Sequence, residues 1–184
     1  MMIPAGTAVG DQNFGMNAID ILLDGYGRVQ EAVAQAADGL DADTLNHRLD
    51  RDANTIAWLL WHLTRVQDDH VADVAGAEQV WTAQGFADRF ALSLPTDDTG
   101  FGHSSEQVAA VRVDSPTLLT EYHDAVYEQT VAYLERLDDD DLDVVIDAMW
   151  DPPVTLGVRL VSVIADDLQH AGQAAFLRGL VLRR

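Results

Sequence analysis

The sequence contains no cysteine and no lysine among its 184 residues. Without cysteine the chain can form neither a disulfide nor a thiolate zinc site, and it has no cysteine nucleophile. Any thiol chemistry therefore requires a thiol from a cofactor or a substrate. The 11 arginines stand against 31 acidic residues, which gives a formal net charge of −20. Because nucleic acids and anionic membranes are bound through clustered cations, we expect neither as a partner.

Long hydrophobic segments are also lacking, since no stretch approaches the ~18 uninterrupted apolar residues of a membrane span. The first residues have no basic region followed by an apolar core, so we expect no signal peptide and a cytoplasmic location. Apolar residues make up 48% of the chain and charged residues 23%, which is typical of a globular protein. We predict a single domain over residues 1–184, with residues 1–12 flexible.

Four segments show helical periodicity, and strand-like alternation is nearly absent. Asn54 or Thr55 is a good N-cap for the second segment, and Ser115-Pro116 is a typical start for the third. A further short helical turn is expected at 41–47. The four long helices are predicted at 13–37, from 54 or 55 to 75, at 116–137 and at 155–182.

The second and third helices are joined by a connection of 37 residues, Glu78 to Asp114. So long a connection is unusual in a compact bundle and often forms a lid or a crossover. We expect short helices within it at Val80–Arg89 and Ser104–Arg112. Four long helices without a sheet predict an all-α fold, a four-helix bundle with a long, partly helical connection between helices 2 and 3.

Two of the six histidines, His62 and His170, lie on the flank of an apolar helical stripe. At ~100° per residue, His62 is offset by roughly 80° from its stripe, and His170 is offset comparably from its own. Asp166 precedes His170 by four residues, so these two side chains stack on one side of the fourth helix. Two imidazoles and a carboxylate leave a position open for water or substrate, as in catalytic zinc sites. The set suits Zn, and also Ni, Fe(II) or Mn.

The same spacing is compatible with a site that holds no metal. Asp166 and Asp167 are then solvated carboxylates, and His170 donates to a backbone carbonyl. Asp167 lies three residues before His170 and nearer to the apolar stripe, so it competes with Asp166 as the acidic ligand. Because an unpaired buried carboxylate is costly, we expect Asp167 to pair with an arginine, either Arg65 or Arg178.

Three segments resemble the DinB-like superfamily, in particular its subgroup of small bacterial proteins. The segment 54–70 contains Trp-His-Leu-Thr-Arg at 61–65 and resembles the second helix of that subgroup. The segment 167–180 resembles the last helix, with the His-x-Gly-Gln signature at 170–173, and Tyr-His-Asp-Ala-Val at 122–126 is similar to the third. The resemblance covers nearly the whole chain. It implies a four-helix bundle, commonly a homodimer, with a three-residue metal site.

The ligands of that family are a histidine on the second helix and a His-x3-His pair on the fourth. By the resemblance, the first maps onto His62 and the second member of the pair onto His170. Asp166 stands where the family has the first histidine of the pair, which is a departure. In the related mycothiol-dependent maleylpyruvate isomerase branch a glutamate holds that place, so a carboxylate there has a precedent.

The resemblance therefore implies a metal-dependent S-transferase or isomerase that acts with a low-molecular-weight thiol such as mycothiol. The cofactor is a divalent metal, with zinc as the first expectation. Arg65 is a candidate for binding an anionic substrate, and Tyr122 or His123 for proton transfer. Two alternatives remain open. One is a small hydrolase whose metal activates water, and the other is a non-enzymatic dimeric bundle for ligand binding or stress response.

Overall fold

Eight helices make up nearly all of the regular structure in the computed structural model, which describes residues 15–183. The predicted flexibility of residues 1–12 lies outside this range. The first helix, predicted from residue 13, begins instead at Ala18, because Asn17 caps it by accepting from the backbone N of Asp20. The long helices are α1 (Ala18–Ala37), α3 (Ile56–Ala75), α7 (Pro116–Leu134) and α8 (Leu156–Val181). The short ones are α2 (Ala42–Leu45), α4 (Val80–Ala83), α5 (Phe86–Phe90) and α6 (Ser105–Ala110).

Each long helix begins after an N-cap residue, whose side-chain oxygen accepts from a free backbone N–H group in the first turn of the helix. Thr55, rather than Asn54, caps α3 by accepting from the backbone N of Trp58. Ser115 caps α7, and Pro116 occupies its first turn, as predicted. Thr155 caps α8 in the same way. Local capping chemistry thus sets the starts of three helices where the sequence indicated them.

The bundle places α3 and α1 on opposite sides, each packed against both α7 and α8. Fourteen of the 20 residues of α3 are buried, far more than in a helix that keeps one face exposed to solvent. The additional face of α3 is covered by the connection between α3 and α7, which contains α4, α5 and α6. The predicted all-α four-helix bundle with its partly helical connection is therefore confirmed.

A short antiparallel hairpin, absent from the sequence prediction, precedes α8. Its strands are β1 (Val145–Asp147) and β2 (Val154–Thr155), and they follow a 3-10 turn at Asp139–Asp143. Strands of three and two residues are too short to show an alternating pattern. Among the described helices, none combines the length and the apolar character that crossing a membrane requires.

Candidate metal centre

One side chain of α3 and two of α8 converge at the interface between these helices. His62, Asp166 and His170 each offer a ligand atom, and these atoms all lie within 4.8 Å of one another. The two imidazole centroids are 4.8 Å apart at an interplanar angle of 75°. Asp166 Oδ1 lies 3.6 Å from His170 Nε2, as the i, i+4 spacing predicts. The structure thus brings together the three residues that the sequence selected.

Both imidazoles are oriented by an oxygen at Nδ1. His62 Nδ1–H donates to the carbonyl of Thr99 at 2.5 Å, and His170 Nδ1–H donates to Gln173 Oε1 at 3.2 Å. This fixes the tautomer in which Nε2 carries a lone pair, the arrangement usual for metal-binding histidines. Both rings therefore keep Nε2 available for an ion.

The electrostatic environment suits neutral imidazoles beside a carboxylate. Burial lowers the pKa of His62 below 6.5, and the nearby His170 adds to this shift, while the hydrogen bond to Thr99 and the charge of Asp166 oppose it. A histidine must be unprotonated to ligate, so the shift favours metal binding at neutral pH. Asp166 Oδ2 is buried and has no hydrogen-bond partner among the described residues. A buried carboxylate oxygen without a partner is costly unless a cation or a donor meets it.

Asp167 is not part of this cluster. Its side chain is fully buried, and neither carboxylate oxygen has a hydrogen-bond partner among the described residues. Burial, with the negative charge of Asp166 adding to it, raises the pKa of Asp167 well above its usual value. The predicted pairing with Arg65 or Arg178 is wrong. Arg65 pairs with Asp68 at 3.5 Å, and Arg178 donates to a backbone carbonyl.

Trp58 and a loop of the long connection form one wall of the cluster. The Trp58 indole stacks on His62, with centroids 4.6 Å apart and an interplanar angle of 19°. Its Nε1–H donates to His103 Nδ1 at 3.1 Å, and His103 Nε2–H donates to the Asp98 carboxylate at 2.9 Å. We call residues 98–103 the site loop. Gly100, at φ +91°, brings this loop so close that a Cβ there would lie 2.8 Å from His62 Nδ1.

The three residues predicted for substrate binding and proton transfer lie elsewhere. Arg65 is fully buried, where it pairs with Asp68 and donates from Nε to the Asp98 carbonyl at 3.2 Å. The Tyr122 hydroxyl donates to Asp68 Oδ2 at 2.8 Å, and His123 is buried to 1% exposure. None of the three lines the cavity that opens beside the metal cluster and is described below. Their catalytic roles stay a prediction, whereas the contacts of Arg65 hold the site loop in place.

A cavity of about 600 Å³ between α3, α8 and the hairpin opens beside the cluster. Sequence reasoning did not single out the other side chains around it as candidate site residues. His70 follows His62 by eight residues on one face of α3, and Arg159 precedes Asp166 by seven on one face of α8, so helical spacing could have indicated both. Thr99 and Gly100 carry no such signal. The wall includes His62, Asp166, His70, Arg159, Phe101 and Trp150.

This helical bundle, with two histidines and a carboxylate converging from its second and fourth long helices, is of the DinB-like class, as the resemblance implied. The family model described as mycothiol-S-transferase matches residues 26–182, so the chain belongs to that family. Its fold is similar to that of a crystal structure of a conserved protein from Enterococcus faecalis. That match has a TM-score of 0.85 and 31% identity, and covers 92% of this chain and all of the other. No curated protein matches the chain.

Proposed function

We propose that the chain is a divalent-metal-dependent S-transferase that acts with a low-molecular-weight thiol of the mycothiol type. The observation that carries this proposal is the convergence of His62, Asp166 and His170 at the edge of a cavity, with both Nε2 atoms free. Membership of the mycothiol S-transferase family supports the thiol as the second component.

The three side chains fit a divalent ion. Ligand atoms bound at about 2.1 Å in a tetrahedral site lie roughly 3.4 Å apart. The 3.6 Å between Asp166 Oδ1 and His170 Nε2 is close to that separation. The aspartate side chain is shorter than the glutamate found in the related branch. Asp166 nevertheless reaches the cluster, because it stands one helical turn before His170. Two imidazoles and one carboxylate favour zinc, while nickel, iron and manganese also accept this set.

The chain supplies orientation, neutral ligands and a shaped space. His62, Asp166 and His170 would hold the divalent ion, which would supply a lowered thiol pKa and so a nucleophile near neutral pH. An oxygen acceptor holds each Nδ1–H, the Thr99 carbonyl for His62 and the Gln173 side-chain amide for His170, so each Nε2 keeps its lone pair for a metal ion. Trp58 covers one face of His62 and excludes water from it.

The cavity receives the electrophile beside the cluster. In the transfer itself the thiol sulfur bonds to the electrophilic carbon, the leaving group departs with its bonding pair, and the thiol proton passes to solvent. Because the chain has no cysteine, the sulfur comes from the small molecule.

Metal content is the first measurement. Protein loaded with zinc and dialysed should retain one ion per chain by inductively coupled plasma mass spectrometry. His62→Ala and His170→Ala should each lose most of it, and Asp166→Ala should bind more weakly. His47→Ala is the matched control, since His47 lies outside the cluster. Full occupancy in both cluster histidine variants would show that the site is elsewhere.

Thiol dependence is the second measurement. Metal-loaded protein should consume mycothiol in the presence of 1-chloro-2,4-dinitrobenzene, and chelation should abolish this. His47→Ala should stay active. Metal-dependent turnover of electrophilic esters without any thiol would instead favour the hydrolase, and the transferase proposal would be wrong.

A further inference from the structure

Arg159 is a cation on the cavity wall, and some of its N–H groups make no hydrogen bond. Its side chain is 21% exposed, and NH1 donates to His70 Nδ1 at 2.9 Å. NH2 forms a long ion pair with the partly exposed carboxylate of Asp147 on β1, and their separation of 4.0 Å is too great for a hydrogen bond. Within residues 15–183, its Nε and NH2 groups make no hydrogen bond. A guanidinium with Nε and NH2 both available can hold a carboxylate through two parallel bonds.

The charges around the cavity favour Arg159 as the group that binds an anion. It is the sole arginine among the lining residues, in a chain without lysine. Two acids share the wall, but each has another partner. Asp69 accepts from Gln79 Nε2 at 2.8 Å, and Asp166 belongs to the metal cluster. The buried Arg65 cannot take this role, because its own contacts enclose it.

The position of Arg159 sets the length of the ligand. It precedes Asp166 by seven residues, which places the two about 10 Å apart along α8. An anionic group at Arg159 therefore leaves the other end of a molecule of that length beside the cluster. Ser162 and Val163 lie on α8 between these two ends and line the cavity.

The remaining wall is suited to an apolar body. Phe101 is 92% exposed and Trp150 is 67% exposed, although both line the cavity. Val66, Val154 and Val158 add aliphatic surface. Large apolar side chains at a cavity rim gain free energy when an apolar ligand covers them. An inorganic anion would leave all of this surface in water.

We propose that this cavity binds an organic carboxylate with an apolar body about 10 Å long, and that Arg159 holds the carboxylate through paired hydrogen bonds. The apolar body lies against Phe101 and Trp150, and the far end reaches the metal cluster. The binding site itself does not depend on the reaction; its assignment to one of the two reactants rests on the proposed S-transferase function.

The test uses the full chain after metal removal, so that no metal can bind the carboxylate. The probes are 6-phenylhexanoate and its neutral amide, followed by NMR titration at the indole N–H of Trp150. Since a hydrogen bond to a charged group contributes about 1.5–3 kcal/mol, the wild type should bind the carboxylate at least about tenfold more tightly than the amide. Arg159→Met should remove this preference, and Arg28→Met should keep it. Arg28 is a matched control because it is exposed on α1 and paired with Asp24.

Equal affinity of the wild type for the two probes would overturn the inference, as would a preference retained in Arg159→Met. Arg159→Gln is a second neutral variant that preserves a donor towards His70, in case the methionine variant does not fold. The preference is measured without metal or thiol, so it can persist when transferase activity fails, and the two proposals fail separately.

A second arm identifies which reactant carries the carboxylate. In metal-loaded protein, 6-phenylhexanoate should compete with the electrophile and leave the apparent affinity for the thiol unchanged. Competition with the thiol would assign the carboxylate site to the thiol instead.

Discussion

His123 on α7 couples the stability of the fold to pH. The Thr64 hydroxyl donates to the carbonyl of Leu60 at 2.8 Å, and so it accepts from His123 Nδ1–H at 3.2 Å. His123 Nε2 is buried and has no hydrogen-bond partner among the described residues. Protonation of Nε2 would therefore bury a charge without an acceptor. Burial lowers the pKa of His123 from 6.5 to about 4, against a small opposing effect of Asp124.

The sign and size of the effect follow from linkage. Well above pH 6.5 neither the folded nor the unfolded chain is protonated at His123, and the full contribution of the neutral imidazole to stability is present. As the pH falls from 6.5 to 4, His123 becomes protonated in the unfolded chain but stays neutral in the folded chain. The free energy of unfolding should drop by about 2 kcal/mol between pH 7 and pH 5, and by about 3 kcal/mol in all below pH 4.

Urea unfolding of metal-free protein at pH 7, 6 and 5, followed by circular dichroism, measures this loss. The buried His62 and the half-buried His70 also have lowered pKa values, which act on stability in the same direction, so the wild type must be compared with a variant. His123→Asn does not titrate and can still donate towards Thr64. It should be less stable at pH 7 but lose about 2 kcal/mol less than the wild type on acidification to pH 5. Parallel pH profiles for the two proteins would refute the reasoning.

Two further substitutions probe the surroundings of the cluster. Asp167→Asn should stabilise the metal-free fold increasingly as the pH rises above the ordinary carboxyl range, because burial raises the pKa of Asp167 in the folded state. Its advantage in urea unfolding should grow by up to about 1.4 kcal/mol per pH unit, and the exposed Asp88→Asn serves as the control for removing an acid. Gly100→Ala should weaken zinc binding about 10- to 100-fold by displacing the site loop from His62. Gly102→Ala has a similar positive φ of +71° but no atom within 4 Å of its new Cβ, so equal zinc affinities in the two variants would contradict this role.

Much of the bundle could be predicted because its signals are local. Thr55 and Ser115 act within one helical turn, and the apolar periodicity reports the buried face of each long helix. Asp166 and His170 could be paired for the same reason, since an i, i+4 spacing fixes their geometry on any helix. The offset of His62 from the apolar stripe of α3 placed it on the flank of an inward face, and the resemblance to the DinB-like family then indicated it as a ligand.

The parts that could not be predicted depend on contacts between distant segments. The carbonyl of Thr99 reaches His62 across 37 residues, and no pattern in the sequence reports it. Asp167 shows a different limit of prediction from sequence. The cost of a buried carboxylate correctly implied that something must neutralise it, but a raised pKa achieves this by protonation instead of an arginine partner.

Arg65 shows how the fold and the cluster depend on each other. It stands one turn after His62, which made it a candidate for substrate binding, yet its side chain is enclosed with Asp68. From there it holds the Asp98 carbonyl, and the neighbouring Thr99 carbonyl orients His62. These contacts anchor the site loop of the long connection to the core. Because the same contacts pin the loop and fix the His62 tautomer, metal binding and the order of this connection must stabilise each other.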